Sequence, residues 1–178
     1  ARNLLGFTAQ NKYSYPGIYA DAAQAALGYG EQMQVSGVLP GSGAARKESV
    51  DHQGAVALVE AAKQRNVAHY VMVSSMGADA EHEGDEVFDA YLRAKGQADD
   101  ALRSSGLGYS IVRPTSLTDD DPVGTVTLSP DADGDSISRS DVAAVLQALL
   151  LEGTPLDSTV QLTAGTTPIG QAVTSAHT

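Results

Sequence analysis

The chain has 178 residues, is 42% hydrophobic and contains no cysteine, and its formal net charge at pH 7 is −11. That length and composition suit one domain with a sizeable core, and the missing cysteines exclude disulfides, thiolate nucleophiles and thiolate metal sites. So acidic a surface repels phosphate backbones, which argues against a nucleic-acid partner.

No apolar run is long enough to span a bilayer and no leader resembles a signal peptide, so a cytoplasmic protein without a membrane partner is expected. Fifteen Asp against four Lys read as adaptation to high salt, where screening relaxes carboxylate repulsion. The first residue is Ala1 rather than Met, so a processed or incomplete start is expected.

In chain order, "DAAQAALGYGEQMQVSGVLPGSG" (21–43) reads as a helix and then a strand. "DHQGAVALVEAAKQR" (51–65) has Ala55, Val56, Leu58, Val59 and Ala62 at helical spacing. "VAHYVMVSS" (67–75) is a nearly continuous apolar run, as expected of a strand buried on both faces of a parallel sheet. A helix is predicted from Glu86 to Ser104, with Asp85 as its N-cap and Gly106 as its stop. "YSIVRP" (109–114) is the next strand, halted by Pro114. "GTVTLS" (124–129) reads as a short strand, "SRSDVAAVLQALLLEG" (138–153) as a helix with a Ser cap and a Gly stop, and "STVQLTAG" (158–165) as a late strand before a frayed terminal helix.

Strands alternating with helices imply βαβ units, an α/β fold with a doubly wound parallel sheet and helices on both faces. Ligands in such sheets bind beyond the carboxyl ends of the strands. Ser74 and Ser75 end one strand and Arg113 and Pro114 the next, so both point toward the expected crevice.

Helix 86–104 carries an inward stripe of Phe88, Tyr91, Leu92, Lys95, Ala98 and Leu102, opposite Asp89, Arg93, Gln97, Asp100 and Arg103. A lysine inside an apolar stripe must snorkel out or have a reason to stay. One reason is chemical: an ammonium one turn from a phenol stabilises the phenolate, and a tuned tyrosine can exchange a proton with a carbinol or carbonyl oxygen. The plain alternative is a packing tyrosine beside a snorkelling lysine.

"HYVMVSSMGAD" (69–79), "YLRAKGQADDAL" (91–102), "YSIVRPTSLTDD" (109–120) and "ISRSDVAAVL" (137–146) together resemble the NmrA-like, atypical NAD(P)-binding branch of the short-chain dehydrogenase/reductase superfamily. The resemblance runs in order over roughly residues 38–170 and implies a single Rossmann-type domain over 1–178. Residues 114–178 would form its smaller, substrate-side portion, and 1–40 depart from the pattern. It further implies NADP or NAD as cofactor, a small-molecule substrate, and Ser75, Tyr91 and Lys95 as the catalytic set. In that set Ser75 would orient the substrate oxygen, Tyr91 would be the acid/base, and Lys95 would lower the tyrosine's pKa and bind the nicotinamide ribose. Ser74 closes the same strand, and Arg113, Pro114 and Thr115 would lie along the nicotinamide end, Thr115 standing where the family usually has Gly. "PGSG" (40–43), with Gly41, Ser42 and Gly43, resembles the loop skirting the cofactor or is an ordinary turn. A non-catalytic redox sensor or partner-binding module is the rival reading, and a homodimer is one possible assembly.

"NLLGFTAQNK" (3–12) resembles the family's pyrophosphate turn, with Gly6 and Thr8 in place but Ala9 and Lys12 where further glycines would fall. A βαβ unit takes about 30 residues, and too few lie before residue 21 to hold the expected strands and helices. A stretch around 11–20 is therefore expected to be missing, or else deleted at the cost of dinucleotide binding.

"DAEHEGDE" (79–86) reads as a solvated acidic loop rather than a metal site, because nothing fixes ligand geometry. "TDDDP" (118–122) reads as a turn, His69 as structural, and Asp141 as a first-turn helix carboxylate rather than a catalytic group. No metal is expected, and no G-x-S-x-G turn is present.

Overall fold

The structure, a computed structural model, describes residues 43–178. The elements read before residue 43, and with them Gly6, Thr8, Gly41 and Ser42, lie outside the described residues.

A short α1 (Ala44–Arg46) runs into a π-helical stretch, Lys47–Gly54, and returns to α geometry in α2 (Ala55–Arg65). α2 ends on Asn66 in the left-handed conformation, φ 52°. Then follow β1 (Tyr70–Val73), α3 (Val87–Arg103), β2 (Tyr109–Pro114), β3 (Ser116–Thr118), β4 (Thr125–Ser129), β5 (Ser136–Ser138), α4 (Arg139–Glu152), β6 (Ser158–Ala164), β7 (Thr167–Pro168) and α5 (Ile169–Ser175).

The main sheet has the order β1-β2-β6-β4-β7. β1, β2 and β6 are parallel, with Val73 opposite Val112 and Val112 opposite Val160. β4 and β7 add an antiparallel margin, and β3 and β5 form a separate parallel pair. The parallel core and its βαβ connections agree with the sequence expectation, whereas the antiparallel margin and the β3–β5 pair are additions to it.

Strand alternation sends the side chains to two cores. Val71, Val112, Val160 and Leu162 pack with Val142, Val145, Leu146 and Leu149 of α4 and with Ala172 and Val173 of α5. Tyr70, Met72 and Ile111 pack on the other face with Ala55, Val59 and Ala62 of α2 and Ala98 and Leu102 of α3. The result is a helix–sheet–helix sandwich of Rossmann type.

α3 begins one residue later than expected. Glu86 rather than Asp85 caps it, in a capping box with Asp89, whose carboxylate accepts from the Glu86 N–H at 3.0 Å. Phe88, placed on the inward stripe by its spacing, is 64% exposed. It lies in the helix's first turn, next to the exposed Val87. α4 keeps both expected ends, a Ser138 cap that accepts from the Asp141 N–H and a left-handed Gly153 at φ 72°.

Candidate functional site

The inward stripe of α3 brings Tyr91, Lys95 and Asp99 to one face, one turn apart. Lys95 does not snorkel. It is 5% exposed, and its ammonium donates to the Val73 carbonyl at the end of β1 over 3.2 Å. It also lies 3.4 Å from a carboxylate oxygen of Asp51, which is fully buried. The Nζ sits 5.8 Å from the centre of the Tyr91 ring. A second ammonium, that of the buried Lys47, lies 5.1 Å from the same ring. Burial pushes Lys47 below the usual lysine range, with Asp51 pulling it up and Lys95 pushing it down. Phe88 stacks on Tyr91, ring centres 5.9 Å apart.

The strand ends divide their side chains between the two faces. Ser75, half-buried two residues beyond Val73, donates to the Met76 carbonyl at 3.3 Å. Ser74 and Arg113 face the other way, toward α3. The Ser74 hydroxyl donates to Asp99 Oδ2 at 3.0 Å, and Arg113 reaches the same oxygen through Nε at 2.9 Å and Nη2 at 2.8 Å. Their backbones close the strands at the expected crevice while their side chains pair with Asp99, because residues 74 and 113 share the sheet face that α3 covers.

Pro114 ends β2, and its carbonyl accepts the Met76 N–H at 3.0 Å. Thr115 is buried, donating its N–H to the Leu162 carbonyl at 3.0 Å. Gly43 is exposed at φ −70° before α1, with nothing within 4 Å of where a β-carbon would stand. The ordinary-turn reading of that residue is thus open to any small side chain.

Sequence reading missed Lys47, Asp51, Asp99 and Gly96. A partial signal existed: Lys95 in an apolar stripe demands a buried counter-charge, but the carboxylate one turn further along α3, Asp99, pairs with Arg113, and the one that meets Lys95 is Asp51 from another element. Gly96 is where the loop after β1 crosses α3, and a β-carbon there would run into the backbone of Asp79 and Ala80.

Side chains tie the acidic loop 79–86 to α3. His82 meets Asp89 at 2.9 Å and Arg93 donates to the His82 carbonyl at 2.6 Å. Among the described residues no group of three or more His, Cys, Asp or Glu is arranged to hold a metal ion, and no helix is long and apolar enough to cross a membrane. His69 is buried at the opposite end of β1, its Nε2 2.9 Å from Ser110 Oγ, and burial lowers its pKa to about 4. Asp141 accepts from the Val123 and Gly124 N–H groups at 3.0 and 2.9 Å and from Ser138 Oγ at 2.8 Å. Burial raises its carboxyl, but those donors hold it below the usual range.

A family model described as NAD(P)H-binding matches residues 20–152. The uncharacterized sugar epimerase YhfK of Bacillus subtilis is 37% identical over 124 residues, 70% of this chain and 58% of that protein. An uncharacterized chloroplast protein of Arabidopsis thaliana is 37% identical over 130 residues, 66% of this chain and 46% of its own length. The chain thus spans about half the length of these relatives. Among solved structures, a Bacillus halodurans protein provisionally described as an NAD-dependent epimerase/dehydratase matches with a TM-score of 0.74 at 35% identity, over 82% of this chain and 69% of that one. A short-chain dehydrogenase/reductase of Veillonella parvula in complex with NADP shares the fold at 17% identity, with a TM-score of 0.62 over 92% of this chain and 94% of that one.

Proposed function

We propose that this chain, which belongs to the NAD(P)H-binding family and takes NAD or NADP as its cofactor, is an oxidoreductase of a small alcohol or carbonyl compound that uses Ser75, Tyr91 and Lys95. The observation that carries this reading is the burial of Lys95. A lysine with nothing to do would extend to water, because holding an ammonium in the interior is unfavourable unless its partners are good. Here it is held on the Val73 carbonyl at the carboxyl end of a parallel strand, where ligands of such sheets bind.

In this reading the described residues take the nicotinamide half of the cofactor. Lys95 would hold the ribose, Ser75 would orient the substrate oxygen, and Tyr91 would give a proton to that oxygen or take one from it. A bound dinucleotide would supply or accept the hydride. The pyrophosphate half falls to Gly6 and Thr8, outside the described residues. The names of the two Bacillus relatives favour a hydroxyl-bearing substrate, since an epimerase also has to handle a proton at a substrate oxygen. In this reading one NAD(P)-binding domain covers 1–178, and residues 114–178 supply the substrate side.

The short stretch between Pro114 and Ser138 leaves little material for an elaborate pocket, and that favours the second reading, a dinucleotide-binding sensor without turnover. Oxidation of NADPH or NADH against a panel of small aldehydes, ketones and keto sugars separates the two. An enzyme loses about 10²–10⁴-fold of its rate in Tyr91→Phe. Unchanged cofactor affinity with no turnover of any compound in the panel would decide for the sensor.

A further inference from the structure

We propose that Phe88 is a specificity-determining residue of this site, its exposed ring being the wall on which a flat, apolar part of an uncharged substrate packs. The substrate class is then an aromatic aldehyde or ketone that carries no carboxylate or phosphate. The proposal rests on the reading of Tyr91 given above. Single exposed apolar side chains are ordinary on a protein surface, so what singles out Phe88 is where it stands and what it touches. Among the described residues four large apolar side chains are exposed: Val87, Phe88, Val123 and Leu151. Val87 and Phe88 open α3, the helix that follows the carboxyl end of β1. Val123 precedes β4, whose Val126 pairs with Ala164 at the carboxyl end of β6. Three of the four thus stand at the end of the sheet where ligands bind. Leu151, in the last turn of α4, lies toward the other end.

Phe88 touches the residue that would exchange the proton. Its ring centre lies 5.9 Å from that of the half-buried Tyr91, with 26° between the planes. Stacked aromatic pairs are favourable at that separation, and one member of this pair is largely uncovered, so a third ring can join it. Ligand sites combine apolar and aromatic walls with a few placed polar groups. Here the wall is Phe88, and the polar groups are the Tyr91 phenol and the Ser75 hydroxyl. Charge narrows the class. Glu81, Glu83, Asp85 and Glu86 are exposed on the loop that leads into α3. The Asp79 N–H on the Leu92 carbonyl and Arg93 on the His82 carbonyl hold that loop to the helix. The cations near the Tyr91 ring, Lys47 and Lys95, are buried beside Asp51. A carboxylate or phosphate carried over Phe88 would therefore meet like charge, and an uncharged ring would not.

The test follows oxidation of NADPH or NADH with benzaldehyde, propanal and 4-carboxybenzaldehyde by the wild-type chain, Phe88→Ala, Phe88→Leu and Tyr91→Phe. Circular dichroism checks the folding of each at about 0.1 M and about 1 M salt. Each aldehyde becomes its alcohol, the carbonyl carbon taking hydride from the nucleotide and the oxygen a proton. The wild type should favour benzaldehyde over propanal in kcat/KM. Phe88→Ala should shrink that ratio about tenfold, mainly through a higher KM for benzaldehyde, and Phe88→Leu, apolar but not flat, should fall between. 4-Carboxybenzaldehyde should be poorer than benzaldehyde at the lower salt and approach it at the higher, where the field is screened. A Phe88 that merely props Tyr91 would slow benzaldehyde and propanal alike in Phe88→Ala and leave their ratio unchanged. That result, or a wild type that prefers propanal, would overturn the proposal, and the site reading would stand as long as Tyr91→Phe loses turnover. A carboxylate penalty undiminished by salt would overturn the assignment of charge selection to the acidic loop. If the wild type reduces none of the three, or Tyr91→Phe keeps the full rate, the site reading falls and the proposal falls with it.

Discussion

Two buried cation–carboxylate pairs stand one helical turn apart on α3, and they are built differently. At Asp99 the donors crowd onto one oxygen: Arg113 places two N–H groups on Oδ2 at 2.8 and 2.9 Å, Ser74 adds a third donor at 3.0 Å, and Arg103 stands 3.8 Å away, while Oδ1 is buried without a hydrogen-bond partner. At Lys95 it is looser, with the carboxylate at 3.4 Å, a main-chain carbonyl at 3.2 Å and the face of a tyrosine nearby. A planar guanidinium satisfies a carboxylate and locks two elements together, whereas an ammonium is a compact point charge that several groups can share. The first pair ties α3 to β1 and β2. The second keeps a charge beside Tyr91 at the carboxyl end of the parallel strands.

The largest expected effect tests the structural half of this contrast. Asp99→Ala leaves the half-buried Arg113 guanidinium and the buried Ser74 hydroxyl without their carboxylate and should cost about 3 kcal/mol of unfolding free energy. Urea denaturation measures it. A loss under about 1 kcal/mol would mean that the Asp99 pair is no lock.

Next comes acid, acting at the opposite end of β1. His69 has a folded pKa of about 4 against 6.5 for the free side chain, lowered by burial, so the unfolded chain binds a proton that the folded one refuses. Stability from this group is complete above about pH 6.5 and falls as the pH drops toward 4, by on the order of 3 kcal/mol. Asp99, whose carboxyl burial pushes up, works in the opposite direction over part of that range. The difference between the wild type and His69→Gln in urea at pH 7 and pH 4.5 therefore isolates the histidine. An equal acid loss in both proteins would assign it to the ion pairs instead.

The parts of the molecule legible in the sequence are those written in local periodicity. β1, β2, β6, α3 and α4 each announce themselves by an apolar run or stripe and by Ser or Gly at their ends, and the parallel core of the sheet follows from their order. β3 and β5 do not, because three-residue strands joined through Ser116 opposite Ser136 carry no period of their own. The Tyr91–Lys95 spacing was legible, but not what holds the lysine, since Asp51 comes from a π-helical stretch whose register no α-helical template describes. Ser74 and Arg113 were placed at the right strand ends. The direction of their side chains depended on Asp99, a residue whose burial only the packed helix reveals.

The smallest effect acts between the two pairs. Gly96 follows Lys95 on α3, and the loop from β1 passes so close that a β-carbon there would meet the backbone of Asp79 and Ala80. Alanine is the better helix former, so an open site would gain up to about 1 kcal/mol from Gly96→Ala. Here backbone rather than a flexible side chain occupies the space, so the substitution should instead cost about 1–3 kcal/mol as overpacking. The relief available is movement of the loop, which is held to α3 by the Asp79 N–H on the Leu92 carbonyl and by Arg93 on the His82 carbonyl. Limited proteolysis of Gly96→Ala should therefore cut within 79–86 before anywhere else. The Asp99 lock, whose partners come from β1 and β2 and not from the loop, should persist. If Gly96→Ala instead stabilises the protein, the loop does not cross α3 as closely as the structure has it, and the two ends of the helix are less separately anchored than the contrast between the pairs requires.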